Sequence, residues 1–373
     1  MRAMIELQLK PTIYTYESCQ EFVNELKIGQ GDLIVTNEYI YEPNFGDMNL
    51  PCAVIFQEKY GMGEPSDEMA EAMYRDMPKD VTRIIGIGGG TIMDLCKLFS
   101  LRYVSPILDL FDGKKPIEKG KELILIPTTC GTGSEVTNVS VMALISRNTK
   151  KGIADDAMYA DKAVLITQLL KTLPFKVFAT SSIDALVHAV ESALSPHSTP
   201  SFRLFSYHAI DLILHGYMEM REKGLEARGP LMKNFLLASN WAGIAFSTPG
   251  CAAVHAMSYP FGAKYHVPHG ESNYVIFIGV MNCYMSIKSD GDIARLNAFI
   301  AEILGCDVDH VYEELENLLN TILPKKALHE YGVTEEDLAE FADSVMKNQG
   351  RLMSHNFVEL DYDKVYSIYK ALY

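Results

Sequence analysis

Arg83-Ile84-Ile85-Gly86-Ile87-Gly88-Gly89-Gly90-Thr91 runs from an apolar, β-branched stretch straight into three glycines. The spacing predicts a buried strand over 83–87 and a helix opening at Thr91. A strand-to-helix turn of this kind lets a phosphate approach the backbone and meet the N–H groups of the helix start. Thr91 stands where the dinucleotide fingerprint GxGxxG has its last glycine, so the match to that fingerprint is incomplete. Taken alone, the turn reads equally well as a tight connection.

The flanking sequence repeats the pattern. Residues 32–36 (DLIVT), 52–56 (CAVIF) and 123–126 (LILI) read as further strands, and 66–77 and 91–101 as helices, with Ser66 as N-cap. Such alternation implies a mainly parallel sheet with helices on both faces. Residues 139–145 and 163–166 are β-branched and add two candidate strands, with Arg147 to Lys151 in the loop between. A second hydroxyl- and glycine-rich turn, Pro127-Thr128-Thr129-Cys130-Gly131-Thr132-Gly133-Ser134-Glu135, follows the fourth strand. Strand carboxyl ends are where open α/β sheets bind ligands. Two such turns together point to a dinucleotide.

The character changes near Leu173-Pro174. Beyond it helical patterns dominate: 181–194, 202–220, 231–246, 293–304, 311–319 and 334–346, the last with a capping-type start at Thr334. The expected division is an α/β nucleotide-binding domain over 1–174 and an all-α domain over 175–373. Within the second lie Asp184 and His188, spaced i,i+4 on one helix face, and His255 and His269, 14 residues apart. One carboxylate and three imidazoles form an N3O set suited to a divalent transition metal such as Fe2+ or Zn2+. Each pair alone reads more simply as surface or core residues; the four together, downstream of glycine turns, point to a metal.

Composition narrows the function. The chain has 373 residues, 48% hydrophobic and 22% charged, as in globular proteins with a full core. A formal charge of −15 disfavours nucleic-acid backbones and anionic membranes as partners. Seven cysteines with no CxxC spacing suggest reduced thiols and a cytoplasmic setting. No run reaches the ~18 apolar residues of a membrane span.

With both patterns in place, the chain resembles the iron-containing alcohol dehydrogenases (group III), an architecture shared with dehydroquinate synthase. The matching segments are GIGGGTIMDLCK (86–97), PTTCGTGSEVTNVSV (127–141), DALVHAVES (184–192) and VHAMSYPFGAKYHVPHG (254–270). The resemblance implies metal ligation by Asp184, His188, His255 and His269. It implies NAD binding, with pyrophosphate on Gly88, Gly89 and Gly90, Asp94 among the cofactor-binding residues, and Thr128, Thr129 and Thr132 on the nicotinamide side. Lys151 would stand near the cofactor ribose. A narrower resemblance, to members acting on a four-carbon ω-hydroxy acid, rests on 56–69, 127–141 and 242–262. It implies interconversion of 4-hydroxybutyrate and succinic semialdehyde. Family members commonly form dimers or larger homo-oligomers.

Two positions depart from the family pattern. Tyr259 stands where many members carry a further histidine near the nicotinamide, so Tyr259 or His266 would take over any proton relay. Asn37 closes the predicted strand over 32–36 where NAD-preferring members often carry Asp, which softens the choice between NAD and NADP. Lys264, between two of the metal ligands, is the sequence-local candidate to anchor a substrate carboxylate, and Arg203 a weaker one. Alternative readings are a dehydrogenase of another small alcohol or diol, such as butanol or propanediol, a dehydroquinate synthase-like lyase, and a nucleotide-binding protein without chemistry. The lyase would need several basic groups near the metal, and within 255–275 Lys264 is the sole basic side chain besides histidine.

Overall fold

Short apolar runs bounded by turn residues become the strands of one parallel sheet. In the computed structural model, which describes residues 5–147 and 149–373, the strands are β1 (Thr12–Tyr16), β2 (Asp32–Thr36), β3 (Ala53–Phe56), β4 (Arg83–Gly88), β5 (Glu122–Pro127), β6 (Val139–Leu144), β7 (Thr149–Ala154) and β8 (Lys162–Ile166). Six of them pair in the order β1-β8-β5-β4-β2-β3, all parallel. Helices α1 (Cys19–Leu26), α2 (Glu38–Phe45), α3 (Asp67–Asp76), α4 (Gly90–Phe99) and α5 (Ile107–Phe111) complete this unit. Alternate strand residues feed two cores: Leu33, Ile84 and Leu125 pack with the α3 and α4 side chains, whereas Ile34, Ile85 and Ile126 pack with those of α1 and α2. A sheet covered on both faces explains why its strands read as continuous apolar runs.

The strand β1 escaped the sequence reading because its TIYTY run has no apolar alternation. Strand β7 is a correction. Residues 149–151 do not lie in a loop but pair antiparallel with β6, Met142 opposite Lys151. This strand is mostly exposed, so it carries no hydrophobic pattern to read.

Residues Leu9–Leu173 form one compact unit and Pro174–Tyr373 the other. Residues 5–8 group with the second unit, unlike the expected division at 174: the Thr199 hydroxyl donates to the Glu6 carbonyl at 2.6 Å. Every element after Pro174 is helical among the described residues. These are α6 (Phe175–Leu194), α7 (Pro200–Lys223), α8 (Arg228–Phe246), α9 (Ala253–Tyr265), α10 (His269–Ile287), α11 (Asp292–Leu304), α12 (Val311–Ile322), α13 (Glu335–Asn348), α14 (Gly350–Met353) and α15 (Tyr362–Leu372). Thr334 caps α13 in a reciprocal box with Asp337. The helices α9 and α10 went unread because Pro260, Gly262, Pro268 and Gly270 break the helical pattern. Among the described residues, no helix is long and apolar enough to cross a membrane.

Candidate metal centre and nucleotide site

Helix α6 supplies Asp184 and His188, both buried, one turn apart. His255 lies in the first turn of α9, and His269 is the first residue of α10. The segment between them is therefore a helix and a turn. Gly270 makes the approach possible: a Cβ there would stand 2.0 Å from the Thr180 carbonyl oxygen on α6. Any larger residue would push α10, and His269 with it, away from Asp184.

The four side chains converge. His255 Nε2 lies 3.0 Å from His188 Nε2 and 3.6 Å from Asp184 Oδ1. His269 Nε2 lies 3.7 Å from the same oxygen. The Asn273 amide, one turn after His269, sits among them. Its nitrogen is 2.7 Å from Asp184 Oδ1, 3.1 Å from His255 Nε2 and 3.3 Å from His269 Nε2. One NH2 group with two hydrogens faces three acceptors, while Asn273 Oδ1 and His188 Nδ1 are buried with no hydrogen-bond partner among the described residues. Lone pairs converging in this way call for a cation. The donor set fits a divalent transition metal.

Glu191, one turn beyond His188, completes the support. It accepts from His255 Nδ1 at 2.6 Å and from the backbone N–H groups of Ala252 and Val254 at 3.0 and 2.6 Å. The carboxylate holds the proton on Nδ1 and leaves the Nε2 lone pair for a metal. Burial opposes ionisation of Asp184, but the charges of His188, His269 and His255 outweigh it and hold the carboxyl well below the usual range. Burial also opposes charge on His255, yet the neighbouring Cys251, Glu191 and Asp184 push its imidazole well above the ordinary value. His188 stacks on Phe246 with ring centroids 4.3 Å apart.

The other residues singled out from sequence divide. Tyr259 is brought to the centre, its ring centroid 5.9 Å from that of His269. Burial pushes its hydroxyl up to about 12, so it stays protonated at neutral pH. His266 is exposed, caps α9 in the left-handed conformation (φ 54°), and has no hydrogen bond to the cluster among the described residues. Lys264 is committed elsewhere: its ammonium lies 2.6 Å from Asp337 and 2.5 Å from Glu340. A lysine already neutralised by two carboxylates is a poor anchor for a third. Arg203 is likewise held by Asp292 at 2.9 Å and the Ala193 carbonyl at 3.0 Å.

In the sheet unit, both glycine turns leave the carboxyl ends of neighbouring strands, Gly88 opposite Pro127. Thr128 N–H donates to the Gly88 carbonyl at 3.1 Å. Thr129 and Thr132 stand against Gly89 and Gly90, where an added Cβ would lie 3.7 and 3.1 Å from their methyl carbons. Gly88 itself is required by packing, because a Cβ would meet Ile92 at 2.4 Å. Strand order reverses between β2, which leads to β3 on one side, and β4, which leads to β5 on the other. Asn37 and the Gly88–Gly90 turn flank this switch point, the crevice where such sheets bind nucleotides.

Asn37 does not stand alone there. Its amide donates to Gln57 at 3.0 Å and to the Glu58 carboxylate at 2.9 Å. Sequence reading had missed Glu58. Asp94 turns out to brace the second turn: it accepts from Ser134 Oγ and Val141 N–H, each at 2.9 Å, beside the fully buried Lys97. Its oxygens are thereby spent on the protein. Lys151 donates to the Phe111 carbonyl at 2.5 Å, with no hydrogen bond to either turn among the described residues.

Two family models match the chain, "Iron-containing alcohol dehydrogenase" over residues 13–167 and "Fe-containing alcohol dehydrogenase family, C-terminal" over 178–373. The chain belongs to the iron-containing alcohol dehydrogenase family. It is 48% identical to the 4-hydroxybutyrate dehydrogenase of Clostridium kluyveri over 368 residues, 98% of this chain and 99% of that protein. A sulfoacetaldehyde reductase of Bilophila wadsworthia is 31% identical, covering 77% of this chain and 76% of its own length. Among solved structures, the sulfoacetaldehyde reductase of Bifidobacterium kashiwanohense in complex with NAD+ superposes with a TM-score of 0.87 at 22% identity, over 100% of this chain and 99% of that one. In this iron-containing alcohol dehydrogenase, Asp184, His188, His255 and His269 are the side chains whose convergence suits the family's metal.

Proposed function

We propose that this alcohol dehydrogenase interconverts 4-hydroxybutyrate and succinic semialdehyde with NAD, using Fe2+ or Zn2+. The observation that carries the substrate is the 48% identity to the Clostridium kluyveri enzyme over nearly the whole chain. A divalent ion held by Asp184, His188, His255 and His269 supplies Lewis acidity to the alcohol or aldehyde oxygen. With NAD bound, the cofactor would take up hydride from the hydroxyl-bearing carbon on oxidation, and the hydroxyl proton would leave to solvent. On reduction both steps reverse.

The chain's own residues position the reactants. Glu191 keeps the His255 proton on Nδ1, away from the reacting side. Tyr259, kept neutral by burial, stands beside His269, where its hydroxyl would relay a proton by accepting one as it gives up its own. The Gly88–Gly90 turn and the start of α4 receive the pyrophosphate. The Asn37–Glu58 pair takes the ribose hydroxyls, and the negative charge of Glu58 disfavours a 2′-phosphate, which supports NAD. For the substrate carboxylate we place Arg351 on α14, which packs against α9. Arg351 makes no ion pair among the described residues, and its charge reaches Tyr259 and His355.

The family resemblance also favours a homodimer. Seven free cysteines suit a reducing, cytoplasmic setting. Light scattering reads out the assembly. The deciding experiment is NADH oxidation by enzyme reconstituted with Fe2+ or Zn2+, comparing succinic semialdehyde, lactaldehyde and butyraldehyde. Preference for succinic semialdehyde is expected. Turnover of the uncharged aldehydes without it would overturn the substrate assignment.

A further inference from the structure

The cluster of one aspartate and three histidines leaves out a side chain that faces it. Cys251 is 8% exposed and lies four residues before His255. Its sulfur, one nitrogen of His188 and one nitrogen of His255 all lie within 4.8 Å of one another. This trio is a metal-competent group in its own right, beside the group of Asp184, His255 and His269. His188, 5% exposed, has a ring nitrogen, Nδ1, with no hydrogen-bond partner among the described residues.

The backbone carrying the thiol is pinned on both sides. Glu191 holds the N–H groups of Ala252 and Val254, and His355 Nδ1 lies 3.1 Å from the Cys251 carbonyl. Glu191 therefore fixes the His255 ring and the turn bearing Cys251 together. Cys19 and Cys96 differ, being buried within the apolar cores of the sheet unit. A thiol fixed beside two imidazoles is built as ligands are built, on rigid elements with their orientation set from behind.

We propose that Cys251 is a metal ligand of this chain, its thiolate joining His188 and His255 on one ion. The inference rests on reading His188 and His255 as ligands. On binding, the thiol loses its proton to solvent and a metal–sulfur bond forms, with no change of oxidation state. Sulfur among nitrogen donors shifts preference toward softer or borderline ions, so Zn2+ and Co2+ gain relative to Fe2+.

The test is the absorption spectrum of the full-length protein loaded with Co2+ under anaerobic conditions. A thiolate-to-cobalt charge-transfer band in the near ultraviolet is expected in the natural chain. It should vanish in both Cys251→Ser and Cys251→Ala, while visible d–d bands show that Co2+ is still held. X-ray absorption of the Zn2+ form should show sulfur at about 2.3 Å, lost in the same variants. Visible bands without a charge-transfer band in the natural chain would overturn the sulfur ligation and leave the histidine–aspartate centre standing. A band that persists in Cys251→Ala would assign it to another cysteine and overturn the proposal. Failure of the natural chain to bind Co2+ would overturn both readings.

Discussion

Glu191 Oε2 lies 2.6 Å from His255 Nδ1, and the same carboxylate holds the two backbone N–H groups that flank the start of α9. One buried acid thus sets a ligand's tautomer and the path of the chain that carries it. Glu191→Gln keeps the volume but loses the charge-assisted bond. Metal affinity should fall about 10–100-fold, the usual cost of removing a partner behind a histidine ligand. Competition with a chelator measures it, and an unchanged affinity would show that the backbone alone positions His255.

Metal binding should also weaken as pH falls. Burial opposes protonation of His188 and His255, but the neighbouring acids prevail and raise both imidazoles above the ordinary 6.5. A metal must displace those protons. Affinity is then greatest above the raised values and declines as pH drops through them, by about tenfold per pH unit for each proton displaced. Asp184 is depressed instead, so it stays ionised across this window and contributes no slope. Calorimetric titration with Zn2+ at several pH values reads the slope directly, and a flat profile between about pH 6 and about pH 8 would contradict it.

The parts legible in sequence were those with strong local signals. The sheet strands announced themselves as apolar runs because both faces are buried, and the i,i+4 pair Asp184–His188 because a helix places such residues together. The supports were hidden. Glu191 looks like any acid on a helix, and only the fold brings it 64 positions along the chain to His255. Glu58 lies 21 positions from Asn37 on a different strand connection. Lys264 is close to His269 in sequence, but that closeness does not carry over to the direction of its side chain. The α9 helix directs its ammonium to Asp337 and Glu340 instead.

Glu58 should carry part of the cofactor preference that Asn37 alone would leave weak. Glu58→Gln preserves the hydrogen-bonding shape toward Asn37 and removes the charge. Like-charge repulsion against a 2′-phosphate would drop, and the ratio of kcat/KM for NADPH over NADH should rise about tenfold or more, roughly 1.4 kcal/mol per tenfold. Steady-state kinetics with both cofactors decide it. An unchanged ratio would place the discrimination elsewhere.

Arg351 tests the substrate's far end. Arg351→Gln should raise KM for 4-hydroxybutyrate by about tenfold to a hundredfold, as expected for losing a charged hydrogen bond of roughly 1.5–3 kcal/mol. KM for 1,4-butanediol, which lacks the carboxylate, should stay unchanged. Equal effects on both substrates would remove Arg351 from the binding site.

The last prediction concerns stability. Lys97 is fully buried, donating to Ser134 Oγ at 2.6 Å, Thr137 Oγ1 at 3.1 Å and the Val139 carbonyl at 2.7 Å, with Asp94 3.6 Å away. Burial works against charge on both members, lowering the lysine and raising the aspartate. Lys97→Met strands Asp94 in the interior and strips three acceptors of their donor. Removing one partner of a buried pair costs about 3–5 kcal/mol. Asp94→Asn in the same chain should recover part of that loss by removing the unpaired charge. Denaturant unfolding of the single and double variants checks both steps. Because the pair braces the 134–141 segment after the second glycine turn, NADH affinity should fall in Lys97→Met even where the protein remains folded, which fluorescence titration of NADH would show.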